Sequence, residues 1–539
     1  MLKLFKRVNF KQVFWFFFYF FLFSLLLRHS FAYLDPDFGW HLQVGQEIAQ
    51  TRSVPSLNNY DYTFNGSWVD HEWLSNLLIY VIYSRTGYIM LSIIFSLLII
   101  LVLILLSRAA RRLRPQAFLS IVILQIAGVM AALPHFGVRI QELGLLFVFL
   151  LLVIIDDYQK RQDWRILIFL PPLMYIWACL HASFLIGFFL LFSWLGVKVI
   201  ERLLKIFYFK TNSSAEYLDL SSLLSIKKMA VYAGIAGASF IFTLFTPYKS
   251  GLYSFLEGYR NTFYLSHIQE WLSQFSFPFQ YWQLFYLALV ALALLFYIYY
   301  SFSQEKYFKL NLWAVFLAGL FIILSFKSRR HFPLLFVATF IFSVGVYNQI
   351  FITYAVKTGR KWLNVWLEAD LLICLFLLSI LNFSQTQFTA TPFDDYCQDY
   401  PCHAVSYLRR HPELDILRIL NNYSWGGYLI RQLPERQLFI DGRLPQVEFA
   451  GHTFLEEYLD FFKAGTRLED KLNQYQIKLI LMPAIDPPIV VRNWEKVVFG
   501  IKENELDKPN YLRLYLNGSS DWRAVYGDSA AVIYQKIKE

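Results

Sequence analysis

The stretch RHSFAYLDPDFGWHLQVGQEIAQTRSVPSLNNYDYTFNGSWVDHEWLSN, residues 28–76, decides how the chain is read. The apolar run VFWFFFYFFLFSLLL precedes it and WLSNLLIYVIYS closes it, yet it holds Asp35, Asp37, His41, Asp70, His71 and Glu72. Ionisable groups are costly beside membrane spans, and where they persist they mark a substrate or proton site more often than packing. The loop therefore reads as the active-site loop of a membrane-embedded enzyme.

Composition agrees. Of 539 residues 57% are hydrophobic and 16% charged, with mean hydropathy +0.42, whereas a soluble domain carries about 25% charged residues. The net charge of +10 is no nucleic-acid signal. Residues 1–383 hold 31 Lys and Arg against 18 Asp and Glu, and residues 384–539 hold 18 against 21, so the excess follows the membrane spans.

Apolar runs of spanning length, about 20 residues with allowance for tilt, fall at 88–107, 117–134, 143–155, 166–180, 183–200, 229–246, 281–302, 310–326, 332–356 and 363–383. With the uncleaved first helix after KLFKRVNFKQ they predict about 11 transmembrane helices, and residues 73–84 read as a helix at the outer interface. The segments assigned to the cytoplasm carry 22 Lys and Arg against 9 in the outer segments before the tail. By the positive-inside rule the N-terminus is cytoplasmic and the tail outside. The expected fold is a polytopic α-helical membrane protein, residues 1–385, with a C-terminal extracytoplasmic α/β domain, residues 386–539. In the tail, HAVSYLRRHPELD predicts a helix, ILRILNN and IKLILM strands, and WRAVYGDSAAVIYQK a terminal hairpin turning at Gly527-Asp528. Cys179 and Cys374 lie in apolar runs; Cys397 and Cys402 can pair if the tail faces an oxidising compartment.

In LDPDFGWHLQVGQEI, Pro36 holds Asp35 and Asp37 extended before an interfacial helix, with His41 close by. Two such carboxylates can supply a general base or hold a divalent cation, and Asp37 can equally cap the helix. Asp70, His71 and Glu72 precede the next helix and can point back at the same face. Arg139, His181, Glu270, Lys327, Arg329, Arg330 and His331 lie where spans meet the outside. Three cations in a short outer loop need compensation, by an anionic ligand such as a lipid phosphate or by loop acids; a ligand is the expectation for Arg139 and Arg330.

The motifs DPDFGWHLQVGQEI, WVDHEWLS, VRIQ, WACLHASFLIG, IQEW and SRRH, with NNYSWGGYLI and FIDGR in the tail, resemble bacterial multi-pass proteins of the type C glycosyltransferase superfamily. These are similar to protein mannosyltransferases and aminoarabinose transferases. The resemblance implies a polyprenyl-phosphate sugar donor, an acidic base in the first outer loop and transfer outside the membrane. Asp35 or Asp37 matches that acid; the mannosyltransferases carry adjacent Asp-Glu where this chain has Asp-Pro-Asp, so the choice between them stays open. SWGGYL followed by FIDGR is similar in layout to the W-W-D-Y-G motif of oligosaccharyltransferases, but Gly426 stands where their Asp would be, which does not support sequon recognition. Trp425, Asp441 and Arg443 are acceptor-side candidates, while His41, Asp70, His71, Glu72, Arg139, His181, Glu270, Arg330 and His331 are substrate-binding candidates.

The expected function is inverting transfer of a sugar from the lipid donor to an extracytoplasmic glycan, lipid or protein, at the plasma membrane of a bacterium, with no nucleic-acid partner. No cofactor is assigned from the sequence, and a divalent cation stays open. The rival is a transporter or flippase for lipid-linked sugars, which predicts buried mid-span charge and an internal repeat; Glu368 and Asp370 are the only acids in a late span. A non-catalytic envelope scaffold is the third reading.

Overall fold

In a computed structural model of the chain, the described residues are 10–207, 218–219, 223–303, 308–358, 363–449, 451–486, 491–500 and 509–537. A chain crossing lipid must satisfy its backbone internally, and each of the eleven apolar runs is helical. They form α1 (Phe10–Ala32), part of α3 (Trp73–Leu113), α4 (Phe118–Ala132), α5 (Gln141–Arg161), α6 (Leu170–Leu180), α7 (Phe184–Phe207), α8 (Ile226–Thr243), α9 (Tyr281–Phe302), α10 (Leu312–Lys327), α11 (Phe332–Thr358) and α12 (Leu363–Ser384). Among the described residues, six helices are long and apolar enough to cross a membrane by length and composition, and three apolar helices are shorter. Their outward faces keep large apolar side chains such as Leu97, Leu295, Ile323 and Leu377 more than half exposed, as lipid-facing surfaces do. The side chains of Glu368 and Asp370 lie outside the described residues.

Two details position the loop. Helix α3 breaks at Gly87 (φ 73°, ψ −178°), which separates the interfacial segment from the span behind it; this backbone conformation suits glycine, which has no Cβ. Between α1 and α3, helix α2 (Phe38–Thr51) buries Phe38, Trp40, Leu42, Val44 and Ile48. It packs backbone to backbone: a Cβ on Gly45 would lie 2.1 Å from the Asn76 carbonyl oxygen, and one on Gly39 2.1 Å from that of Gly427. The loop helix is thus held between α3 and the tail.

The tail contains α13 (Cys402–Arg410), β1 (Arg418–Asn421), α14 (Gly426–Gln432), a two-stranded pair β2 (Glu448–Phe449) and β3 (His452–Thr453), α15 (Phe454–Asp460), α16 (Leu468–Gln474), β4 (Ile477–Pro483), α17 (Asn493–Phe499), α18 (Tyr511–Gly518), β5 (Trp522–Gly527) and β6 (Ala531–Lys536). The four-stranded sheet has the order β1-β4-β6-β5; β1 and β4 are parallel and the other pairs antiparallel. The buried run Leu479, Ile480, Leu481 and Met482 explains why β4 is central. Cys397 and Cys402 form a disulfide with Cα atoms 5.2 Å apart.

Loop and tail share hydrogen bonds as well as packing. Leu438 donates its N–H to the Tyr60 carbonyl (2.8 Å) and Tyr62 returns one to Leu438 (3.1 Å). Thr63 Oγ1 donates to the Phe439 carbonyl (2.7 Å), Tyr400 Oη to that of Leu34 (3.0 Å), and Arg431 to the side chains of Gln43 and Gln46.

Candidate active site

A cavity of about 320 Å³ lies where the first loop, the ends of α5, α7 and α11, the 256–271 segment and the tail turn at Gly442-Arg443 meet. Asp37, Asp70, His71, Glu72, His181, Arg330, His331 and Arg443 contribute to its wall. Segments assigned from sequence to the outer side therefore converge at one place. Asp35, His41, Arg139 and Glu270 stand one link behind the wall and act on it through partners.

The two loop aspartates have different environments. Asp35 Oδ2 is paired with Arg139 Nε at 2.6 Å, and its Oδ1 accepts the Asp37 N–H at 2.8 Å, a turn that Pro36 favours. Asp37 occupies the N-cap position of α2 but its side chain makes no capping bond. Its carboxylate lies against the tail instead, where a Cβ on Gly442 would fall 2.2 Å from Oδ1. Burial first, and the charge of Asp35 second, push the Asp37 carboxyl up to about 7.

Behind this pair runs a line of alternating charge. Arg139 Nη1 meets Glu270 Oε1 at 2.5 Å, and Glu270 Oε2 meets Arg330 Nη1 at 3.4 Å. Burial alone would raise the Glu270 carboxyl, but Arg139 and then Arg330 pull it down to about 2. A ligand is the sequence expectation for Arg139 and Arg330; in the structure Asp35 and Glu270 compensate Arg139, and Glu270 also faces Arg330. Arg139 spends Nε and Nη1 on carboxylates; Arg330 also stacks over Trp271 at 5.0 Å and remains on the cavity wall. Arg329 takes no part and binds the Ser276 and Pro278 carbonyls.

Opposite lies a histidine–carboxylate group. Glu72 Oε1 is 3.4 Å from Nε2 of both His71 and His181. The Ser183 N–H donates to His181 Nδ1 at 3.1 Å, so the His181 proton sits on Nε2, facing Glu72. Burial lowers His181 to about 4, leaving it neutral at pH 7. Burial also works against a charged His71, but Glu72 outweighs it and the imidazole lies above its ordinary value; Glu72, despite its own burial, falls to about 2, with His71 the leading cause. His41 turns away: its Nδ1 meets Asn76 Oδ1 at 2.6 Å, and Asn76 Nδ2 bonds both Asp70 oxygens at 3.0 and 2.9 Å. Burial raises Asp70 to about 7.

Among the tail candidates, Arg443 reaches this cavity. It binds Asp441 through Nε and Nη2 at 3.0 and 2.5 Å and Asp61 at 3.2 Å, and it stacks on Tyr60 (4.4 Å) and Trp68 (4.6 Å). Asp441 lies buried beneath it. Trp425 is buried in the tail, donating Nε1 to the Asp399 carbonyl at 2.9 Å. Sequence reasoning missed Asp61, Glu142 and His135. Asp61, in the loop between α2 and α3, completes the Arg443 cluster; Glu142 and His135 line the cavity, and for these two the one available signal was an acid or imidazole at a helix end facing the outside.

A cation site does not emerge from the loop pair. Asp35 is committed to Arg139, and among the described residues no three His, Cys, Asp or Glu side chains come together as ligands. The present side chains can instead hold a proton at Asp37, bind an anion beside Arg330 and His71, and stack a sugar face on Trp40, Trp68 or Trp271, all on the wall.

No protein-family model matches the chain, and no curated protein sequence matches it. Solved structures do. The oligosaccharyltransferase of Archaeoglobus fulgidus in its apo form superposes with a TM-score of 0.52 at 10% identity, covering 89% of this chain and 70% of that one. The same enzyme tethered to an acceptor peptide containing the NVT sequon gives 0.53 at 11% identity over the same shares. AglB from A. fulgidus in complex with an inhibitory peptide and a dolichol-phosphate gives 0.50 at 10%, again over 89% and 70%. The chain therefore has the fold of an oligosaccharyltransferase, a multi-pass membrane architecture with a C-terminal domain, in keeping with its resemblance to the type C glycosyltransferases.

Proposed function

We propose that the chain is an inverting glycosyltransferase that moves a sugar from a polyprenyl-phosphate donor to an extracytoplasmic acceptor, with Asp37 as general base. One observation carries this reading. Asp37 stands on the cavity wall without capping its helix, while Asp35 is neutralised by Arg139. A base poised near the operating pH is the most effective, and Asp37 lies at about 7. In the reaction the acceptor hydroxyl gives its proton to Asp37, its oxygen bonds to the anomeric carbon, and the bond from that carbon to the donor phosphate oxygen breaks. The phosphate leaves with the electron pair. Arg330 and His71 stabilise its charge, and Asp70, Glu72, His181, Glu270 and His331 hold them in place.

The shared fold supports a lipid-linked donor, since AglB was solved with a dolichol-phosphate. Leu145, Leu185, Ile186 and Leu334 supply an apolar wall beside Arg330 on which the lipid chain lies. The distribution of Lys and Arg supports an inner-membrane protein with a cytoplasmic N-terminus, and residues 386–539 as a domain outside. Trp425, Asp441 and Arg443 shape the acceptor side through the tail turn. The test is sugar release in proteoliposomes from a panel of radiolabelled polyprenyl-phosphate sugars, wild type against the Asp35→Asn/Asp37→Asn double variant. Release that needs the two aspartates supports the proposal; a folded wild-type protein that releases sugar from none of the donors overturns it.

A further inference from the structure

The tail carries a second feature, away from the cavity. Helix α17 is clamped onto the start of α9 and the segment leading into it. Phe499 packs on Phe279 (4.6 Å) and Phe277 (6.0 Å), Trp494 lies 5.7 Å from Tyr281, Arg492 stacks over Tyr281 at 5.4 Å, and Tyr281 Oη bonds Glu495. That segment is itself tied to the end of α10, where Phe275 meets Phe326 at 4.7 Å and Gln274 N–H donates to the Phe326 carbonyl at 3.3 Å.

What α17 does not bury is apolar. Val497 is 83% and Val498 66% exposed, and Trp494 and Phe499 keep about half of their surface. Water-facing helices of soluble domains do not line up such residues. The patch continues through Phe275 and Phe326 to Trp282 and Phe285, exposed on the first turns of α9. These are lipid-facing positions at the end of a span, where aromatic residues form the interfacial belt.

We infer that α17 is a membrane-surface foot: it lies in the boundary between lipid headgroups and acyl chains, with Val497 and Val498 pointing into the bilayer, and it fixes the height of the tail above the cavity mouth. The occupant is the bilayer itself, because the exposed face is continuous with the lipid-facing sides of α9 and α10. Arg492, stacked on Tyr281, stands where a basic side chain meets headgroup phosphates. The inference needs the membrane embedding and not the transfer chemistry, so it stands or falls separately from the proposed function.

A nitroxide on Val498→Cys, in a Cys374→Ser background reconstituted into phosphatidylcholine–phosphatidylglycerol nanodiscs, tests it. A foot in the bilayer makes dissolved oxygen relax the label more strongly than a water-soluble nickel chelate, with a depth of about 5–10 Å below the headgroups. A label on Val497→Cys repeats the measurement at a neighbouring exposed position. Stronger relaxation by the nickel chelate at both positions, in protein that is monodisperse and keeps its melting temperature, places α17 in water and overturns the inference.

Discussion

Gly427→Ala tests whether the tail sets the position of the loop that carries Asp37. The added Cβ would fall 2.2 Å from the Pro36 carbonyl oxygen, 3.1 Å from Trp40 Cδ1 and 3.3 Å from Asp37 Cα. Non-bonded atoms settle at about 3.5 Å or more, so the loop backbone and the start of α14 must part by more than about 1 Å. The obstructing atom is backbone and cannot rotate aside. Such overpacking costs about 1–3 kcal/mol of stability. A displacement of about 1 Å at a reacting group costs on the order of 10²-fold in rate, and the displaced turn is the one that carries Asp37. The assay is the initial rate of sugar transfer in proteoliposomes, read together with the melting temperature. Gly345→Ala on α11 serves as the control, since its Cβ would meet nothing within 4 Å. A Gly427→Ala enzyme within twofold of wild type, melting at the same temperature, refutes the reasoning.

Further outcomes follow from the charges. Asp37 and Asp70 both lie near 7, so between about pH 4 and 7 each of them holds its proton more in the folded state than in the unfolded one, whereas His181, held near 4, holds its proton less. The Asp37 contribution to stability therefore falls as pH rises through about 7, so the melting temperature of wild type minus that of Asp37→Asn is larger at pH 6 than at pH 8; a difference that grows with pH would contradict the assignment. Arg139→Met leaves Asp35 without its partner and Glu270 with Arg330 alone. Breaking such a pair costs about 3 kcal/mol, and the acid limb of the pH–rate profile moves to higher pH; an unmoved limb would mean that Arg139 does not act on Asp37. Arg443→Lys loses the two-point grip on Asp441 and the stacking on Tyr60 and Trp68. A lysine cannot replace a planar guanidinium there, so limited proteolysis of the 57–68 segment speeds up, and unchanged cleavage would show that the latch is not needed.

Much of the architecture was readable because membrane helices obey strong local rules. Each apolar run became a helix, and the terminal hairpin turned where Gly527-Asp528 predicted, because backbone satisfaction and turn chemistry are local. The acids of loop 28–76 were legible as a group for the same reason: charge beside spans stands out. Their division of labour was not. That Asp35 is spent on Arg139 and Asp37 is not depends on a contact across 104 positions of sequence. Asp37 also looked like a helix cap, a role it does not take once Gly442 abuts its carboxylate. Similarly, Arg443 was legible as an acceptor-side candidate in FIDGR, but its seat between Tyr60 and Trp68 arises only when the tail closes on the loop. Glu142 and His135 sat at span ends with no partner in sequence to draw attention to them.

The most direct test of the central claim is the single-turnover rate of sugar transfer against pH for wild type, Asp35→Asn and Asp37→Asn. If Asp37 is the base, Asp37→Asn loses about 10²- to 10⁴-fold and with it the limb near pH 7. Asp35→Asn keeps a limb, displaced to lower pH because the repelling charge next to Asp37 is gone. Retention of both rate and limb in Asp37→Asn, with their loss in Asp35→Asn, would contradict the account and assign the proton to the other aspartate.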